Sequence, residues 1–191
     1  MLALSLGGCE VKVQQLRLND PRLPIEARRW LADSEDEVVI AKVGVNTAKL
    51  ELTLLENYRE ILSTKGLFSG SKSSEASKLL QKYANERVAL QKHNLLFAQK
   101  NLDLAKAKLT QARAETAIRY DVTVYEMQPI VAAVEVQRTL LIKAKKETEN
   151  QRIKVETLAT KLWTAYAKYV KIGGSTNTFW ADVSMRTIRK D

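Results

Sequence analysis

An all-α, elongated three-helix coiled-coil bundle containing a long antiparallel α-hairpin is the fold to expect, and three observations lead to it. Seven Gly and three Pro among 191 residues leave few places for turns, so the chain must run in long elements. Apolar residues recur at steps of three and four along three extended stretches, with breaks between them at residues 66–74 and 117–129. Helices of about 45 residues would each span ~70 Å at the α-helical rise, which describes a rod rather than a globule. The same composition sets aside collagen-like, disordered and β-sandwich folds. One Cys excludes an intramolecular disulfide and a four-cysteine zinc site, and one His removes most metal and triad chemistry.

The elements follow in order. Residues 10–24 form a turn-rich tether, because Val11, Val13, Leu16 and Leu18 keep no helical face and Pro21 and Pro24 bracket a turn. A short helical segment is expected over Ile25–Leu31, with Pro24 in its first turn. Ser34-Glu35-Asp36-Glu37 reads as a capping box that starts a new helix, with serine at the N-cap and carboxylates on the positive end of the dipole. From there Val38, Ala41, Val45, Ala48, Leu52, Leu55 and Leu62 trace the seam of a coiled coil.

A second helix runs from about Ser74 to Tyr120. Val88, Leu95, Leu102 and Leu109 form one heptad column, Ala98, Ala105 and Ala112 a second, and Tyr83, Leu90, Phe97 and Leu104 a third. Leucine alternating with alanine lets helix axes approach closely, and three columns are wider than one partner can cover. The phase is lost around Ala117–Pro129, where β-branched residues and Pro129 mark a connection. A third helix spans Ile130–Ile172, with a seam of Ile130, Val134, Gln137, Leu141, Ala144, Thr148, Gln151, Val155, Leu158, Leu162, Ala165 and Tyr169. Gln137, Thr148 and Gln151 interrupt that seam, as polar residues that fix register do. Gly173-Gly174 stops the helix and leaves 175–191 as a tail. The expected organisation is therefore 1–8 as a leader remnant, 9–33 as tether and short helix, 34–174 as the coiled-coil domain and 175–191 as the tail. Leu95, Leu102, Leu109, Leu141, Val155 and Leu162 are the expected helix-pairing residues.

Leu6-Gly7-Gly8-Cys9 resembles the lipobox of bacterial lipoproteins, in which a leucine and two small residues precede the cysteine that is cleaved at and lipidated. Small residues let the peptidase approach the backbone, and only the thiol can take the diacylglycerol thioether. No basic segment precedes the apolar run, which is shorter than a complete signal peptide. The resemblance implies a lipid on Cys9, removal of residues 1–8, and a place on the periplasmic side of a bacterial envelope, attached to the outer membrane. A second, local resemblance joins Gln99–Leu109, Tyr120–Val124, Val136–Leu141 and Leu162–Gly174 to the second repeat of TolC-like outer-membrane channel proteins, whose long α-hairpins build a periplasmic tunnel. This chain is less than half the expected length of that family and lacks its duplicated repeat.

Charge is distributed unevenly. Residues 1–71 hold nine Lys/Arg against ten Asp/Glu, whereas residues 72–191 hold twenty-two against twelve, so the net +9 belongs to the later helices and tail. Lys100, Lys106, Lys108, Arg113, Lys143, Lys145, Lys146, Arg152 and Lys154 are the candidate contacts for an anionic surface. They are spread around their helices among acids, and an envelope address argues against nucleic acid as the partner. No phosphate loop, dinucleotide turn or metal-ligand spacing is present, and His93 stands alone on a helix. The expectation is a non-enzymatic, cofactor-free structural protein of the envelope. It would assemble with itself or with other envelope proteins and attach to a membrane through its lipid. The alternatives are a basic binder of nucleic acid, phospholipid or cell-wall polymer, and a short relative of tunnel-forming export proteins.

Overall fold

A computed structural model describes residue 16 and residues 20–64, 75–122 and 125–171. Three helices, α1 (Ile25–Thr64), α2 (Glu75–Arg119) and α3 (Met127–Lys171), make up 92% of these, and no strand occurs among them. The fold is all-α, with α1 packed on α2 and α2 on α3 as a three-helix bundle. The lipobox-like segment, Gly173-Gly174 and the tail lie outside the described residues.

The expected break at residues 31–34 is absent, because α1 is a single helix from Ile25. Ser34 is inside it, and its hydroxyl donates to the Trp30 carbonyl at 3.0 Å rather than capping a helix start. The boundary between 33 and 34 therefore falls within a helix. Continuity keeps Ala27 and Leu31 on the same buried side as Ala41, Val45 and Ala48. The true start is the turn at Asp20–Leu23, where the Leu23 amide donates to the Asp20 carbonyl and the Arg28 amide to that of Pro24, both at 3.1 Å. Arg22 braces this turn, its guanidinium and then its amide donating to the Asp20 carboxylate, which they hold down at about 2. Arg28 reaches back to the Leu23 and Asp20 carbonyls.

The connection between α2 and α3 is placed as expected but built differently. Asp121 takes φ 50°, the left-handed conformation that ends helices, and the Val122 amide donates to the Ala117 carbonyl at 2.8 Å. The Asp121 amide donates to Ile118 at 3.3 Å, completing the paired bonds of a Schellman turn. Pro129 belongs to the first turn of α3, where its missing N–H is not needed, and so does not break the chain.

The described parts of Met1–Lys42 and Asn101–Thr139 form one compact unit, and those of Val43–Lys100 and Leu140–Asp191 another. In the first, Leu16, Leu23, Ala27 and Leu31 pack with Ala112 and Ala117, flanked by Tyr120, Val122 and Tyr125. Ala112, Ala114, Thr116 and Ala117 are all at most 5% exposed and cover rather more than half the circumference of α2, while Ile118 and Arg119 are exposed on the remainder. A buried face this wide favours small residues, so the loss of phase near Ala117 reports the width of that face. In the second unit, Ala76, Leu80 and Tyr83 of α2 pack with Val155 and Leu162 of α3. Full burial of each large side chain contributes about 1.5–3 kcal/mol.

Candidate functional site

The seams hold not only apolar residues but a set of hydrogen-bonded polar ones. Gln151, 6% exposed, donates from Nε2 to the Glu86 carboxylate at 2.6 Å and lies 3.4 Å from the Glu86 carbonyl oxygen. The Thr148 hydroxyl has two acceptors in reach, the carbonyls of Ala144 at 2.9 Å and His93 at 3.3 Å. Across the other seam Gln91, 5% exposed, donates to the Ala48 carbonyl at 3.1 Å and the Glu51 carboxylate at 2.9 Å, and its own oxygen accepts from Asn94. Both neighbours of α2 are thus tied to it by buried amides that find acceptors at one axial position. A slide by one turn would strand those amides at about 1–3 kcal/mol each. Gln91 carries no special signal in sequence, because it lies outside the leucine and alanine columns. His93 enters this set through its carbonyl oxygen.

The expected pairing residues divide. Val155 and Leu162 are buried against α2, while Leu95, Leu102, Leu109 and Leu141 are half-buried. The expected seams of α1 and α3 are buried or half-buried at every residue whose exposure is described, from Val38 to Leu62 and from Ile130 to Ala165.

The nine basic candidates also divide. Arg113 is spent on Glu35 at 2.8 Å, Lys108 lies 3.6 Å from Glu37, and Arg152 pairs with Glu149 at 2.8 Å. The acids of the expected capping box therefore serve as α1 partners for α2 cations. Lys100 is half-buried and engaged. Lys106, Lys143, Lys145, Lys146 and Lys154 are exposed. Lys106 stands on α2 and the other four on α3, so no single helix carries the nine as a free basic face. Among the described residues no group of three His, Cys, Asp or Glu could hold a metal, and no helix is long and apolar enough to cross a membrane.

What the structure adds is an exposed apolar stripe on α1. Val43, Leu50 and Leu54 of α1 are 58%, 68% and 58% exposed, and Tyr58 and Ile61 are more than a third exposed. At 100° per residue these five fall on one arc of the helix, opposite the seam of Val45, Ala48, Leu52 and Leu55. The α1 helix is therefore apolar on two faces, one packed into the bundle and one exposed at Val43, Leu50 and Leu54. Scattered exposed aliphatics are ordinary on protein surfaces, whereas a contiguous stripe of them marks an interaction site. The molecule is an all-α bundle with an exposed apolar stripe on one helix. Comparison with known proteins gives no match to a family model, to a curated protein or to a solved structure.

Proposed function

We propose that this chain is a structural assembly component of a bacterial envelope, held at a membrane by a lipid on Cys9 and joined to other protein through the exposed apolar stripe of α1. The observation that carries the assembly role is that face. Val43, Leu50 and Leu54 stand exposed in one arc of a helix anchored on α2, a ridge suited to packing another helix. The polar bonds of Gln91 and Gln151 fix the register behind it, so the ridge is presented in one geometry. The address rests on Leu6-Gly7-Gly8-Cys9, where a small-residue pair precedes the sole thiol.

Fractionation and fatty-acid labelling test the address. Native protein is expected in the membrane pellet, carrying label that Cys9→Ala removes together with membrane association. A native protein that is soluble and unlabelled would overturn the anchor. Retention of Cys9→Ala on anionic vesicles at low salt alone would instead favour the lysines of α3 as the attachment.

A further inference from the structure

We infer that one side of α3 lies along the anionic lipid surface that holds the chain, with Lys143, Lys146, Lys154, Lys161 and Lys168 against its headgroups. This rests on the membrane address above and adds a second contact to the lipid. At 100° per residue Lys143, Lys154, Lys161 and Lys168 fall within about 40° of one another, and Lys146 stands beside them. The row runs about 38 Å along the helix, its last three lysines one heptad apart. All five are exposed, and none forms an ion pair among the described residues. The polar Asn150, Thr157 and Thr164 fill the intervening turns.

Elsewhere on α3 cations and acids stand together. Arg138 donates to Glu135 at 2.7 Å, and Arg152 donates to Glu149 at 2.8 Å with Glu156 at 3.7 Å. The Arg152 group is more than about 100° round the helix from the lysine row. Glu147 is half-buried beside the upper end of the row, and no acid follows Glu156 in the helix. Both arginines of α3 are thus paired within the helix, and the row is left as charge that the fold does not use.

A straight row of like charges is met along its whole length by a charged plane. Lysine throughout suits that occupant, because a hydrated point charge follows mobile headgroups, whereas the planar fork of arginine matches the fixed phosphates of a nucleic acid. No ring stands among the lysines for a base to stack on. Trp163 and Tyr166 pair with each other, centroids 5.9 Å apart, on another side of the helix. No apolar residue lies within the row either, so the contact stays at the headgroups. Each lysine at such a surface strengthens association about fivefold, and physiological salt screens the attraction beyond about 8 Å. The row alone therefore holds the chain at low salt, and the lipid holds it in the cell.

Co-sedimentation of the purified full-length Cys9→Ser chain with vesicles tests this. Binding is expected to phosphatidylethanolamine vesicles containing phosphatidylglycerol at about 0.02 M salt, with release at about 0.15 M and none to phosphatidylcholine vesicles. Lys154→Gln, Lys161→Gln and Lys168→Gln together are expected to weaken it more than about tenfold, with helicity by circular dichroism unchanged. Arginine at the same three positions is expected to keep it. Removing the same charge at the exposed Lys49, Lys78 and Lys82 is expected to weaken it less than about threefold. Equal losses from the two triple variants would overturn the row, and binding indifferent to lipid charge, or none at low salt, would overturn the contact. Tighter, row-dependent binding to duplex DNA at the same salt would give the row to nucleic acid instead. The lipid test fails independently. A fatty-acid-labelled native protein whose Cys9→Ser chain ignores anionic vesicles keeps the anchor and loses this contact, and an unlabelled one whose chain binds them does the reverse.

Discussion

Leu162→Ala is expected to lower the free energy of unfolding by about 2–5 kcal/mol, read as a shift of the urea midpoint followed by circular dichroism. Leu162 is 2% exposed and sits between α3 and the Ala76, Leu80 and Tyr83 side of α2. Ala76 is already the smallest residue that packs there, and Tyr83 is held 1% exposed with the Arg87 guanidinium 5.9 Å above its ring. Neither can move to fill the space, which places the loss towards the upper part of that range. The same change at Leu95 removes a half-buried side chain and costs less. If the two variants lost stability equally, α2 and α3 would not be packed as described.

Gln151→Ala has the second large effect, a loss of about 1–3 kcal/mol. The substitution deletes the donor to the half-buried Glu86 carboxylate. Pairing the change with Glu86→Ala removes the stranded acceptor as well, so the double variant is expected to be more stable than Gln151→Ala alone. A double-mutant cycle by urea unfolding measures this coupling, and a coupling near zero would mean that the 2.6 Å bond does not set the register.

The residues show why some of this was legible in the sequence and some was not. The α1 and α3 seams are plain because each packs one face into the bundle, so burial and three-four spacing coincide from Val38 to Leu62 and from Ile130 to Ala165. Thr148 and Gln151 stand out as polar residues in an apolar column, and their bonds to α2 explain their presence. Gln91 does the same work from α2 without interrupting any column. Ser34-Glu35-Asp36-Glu37 misleads because the residue types of a capping box are also those of an acidic helix surface. Only the positions of Arg113 and Lys108 on α2 show that Glu35 and Glu37 face cations. Ala112, Ala114, Thr116 and Ala117 lose their phase because they share a wide buried face, which no one-dimensional pattern separates from a connection. The outer stripe of α1 has the same three-four spacing as its seam, but two apolar faces on one helix overlap in sequence and hide each other.

The decisive distinction lies between the two faces of α1, and hydroxyl-radical footprinting measures it directly on the assembled and the diluted protein. Val43, Leu50 and Leu54 are expected to be protected in the concentrated protein and to label rapidly on dilution, while Val45, Val155 and Leu162 stay protected throughout. Equal, rapid labelling of Val43, Leu50 and Leu54 at every concentration would contradict the account, because the outer stripe of α1 would then meet only water.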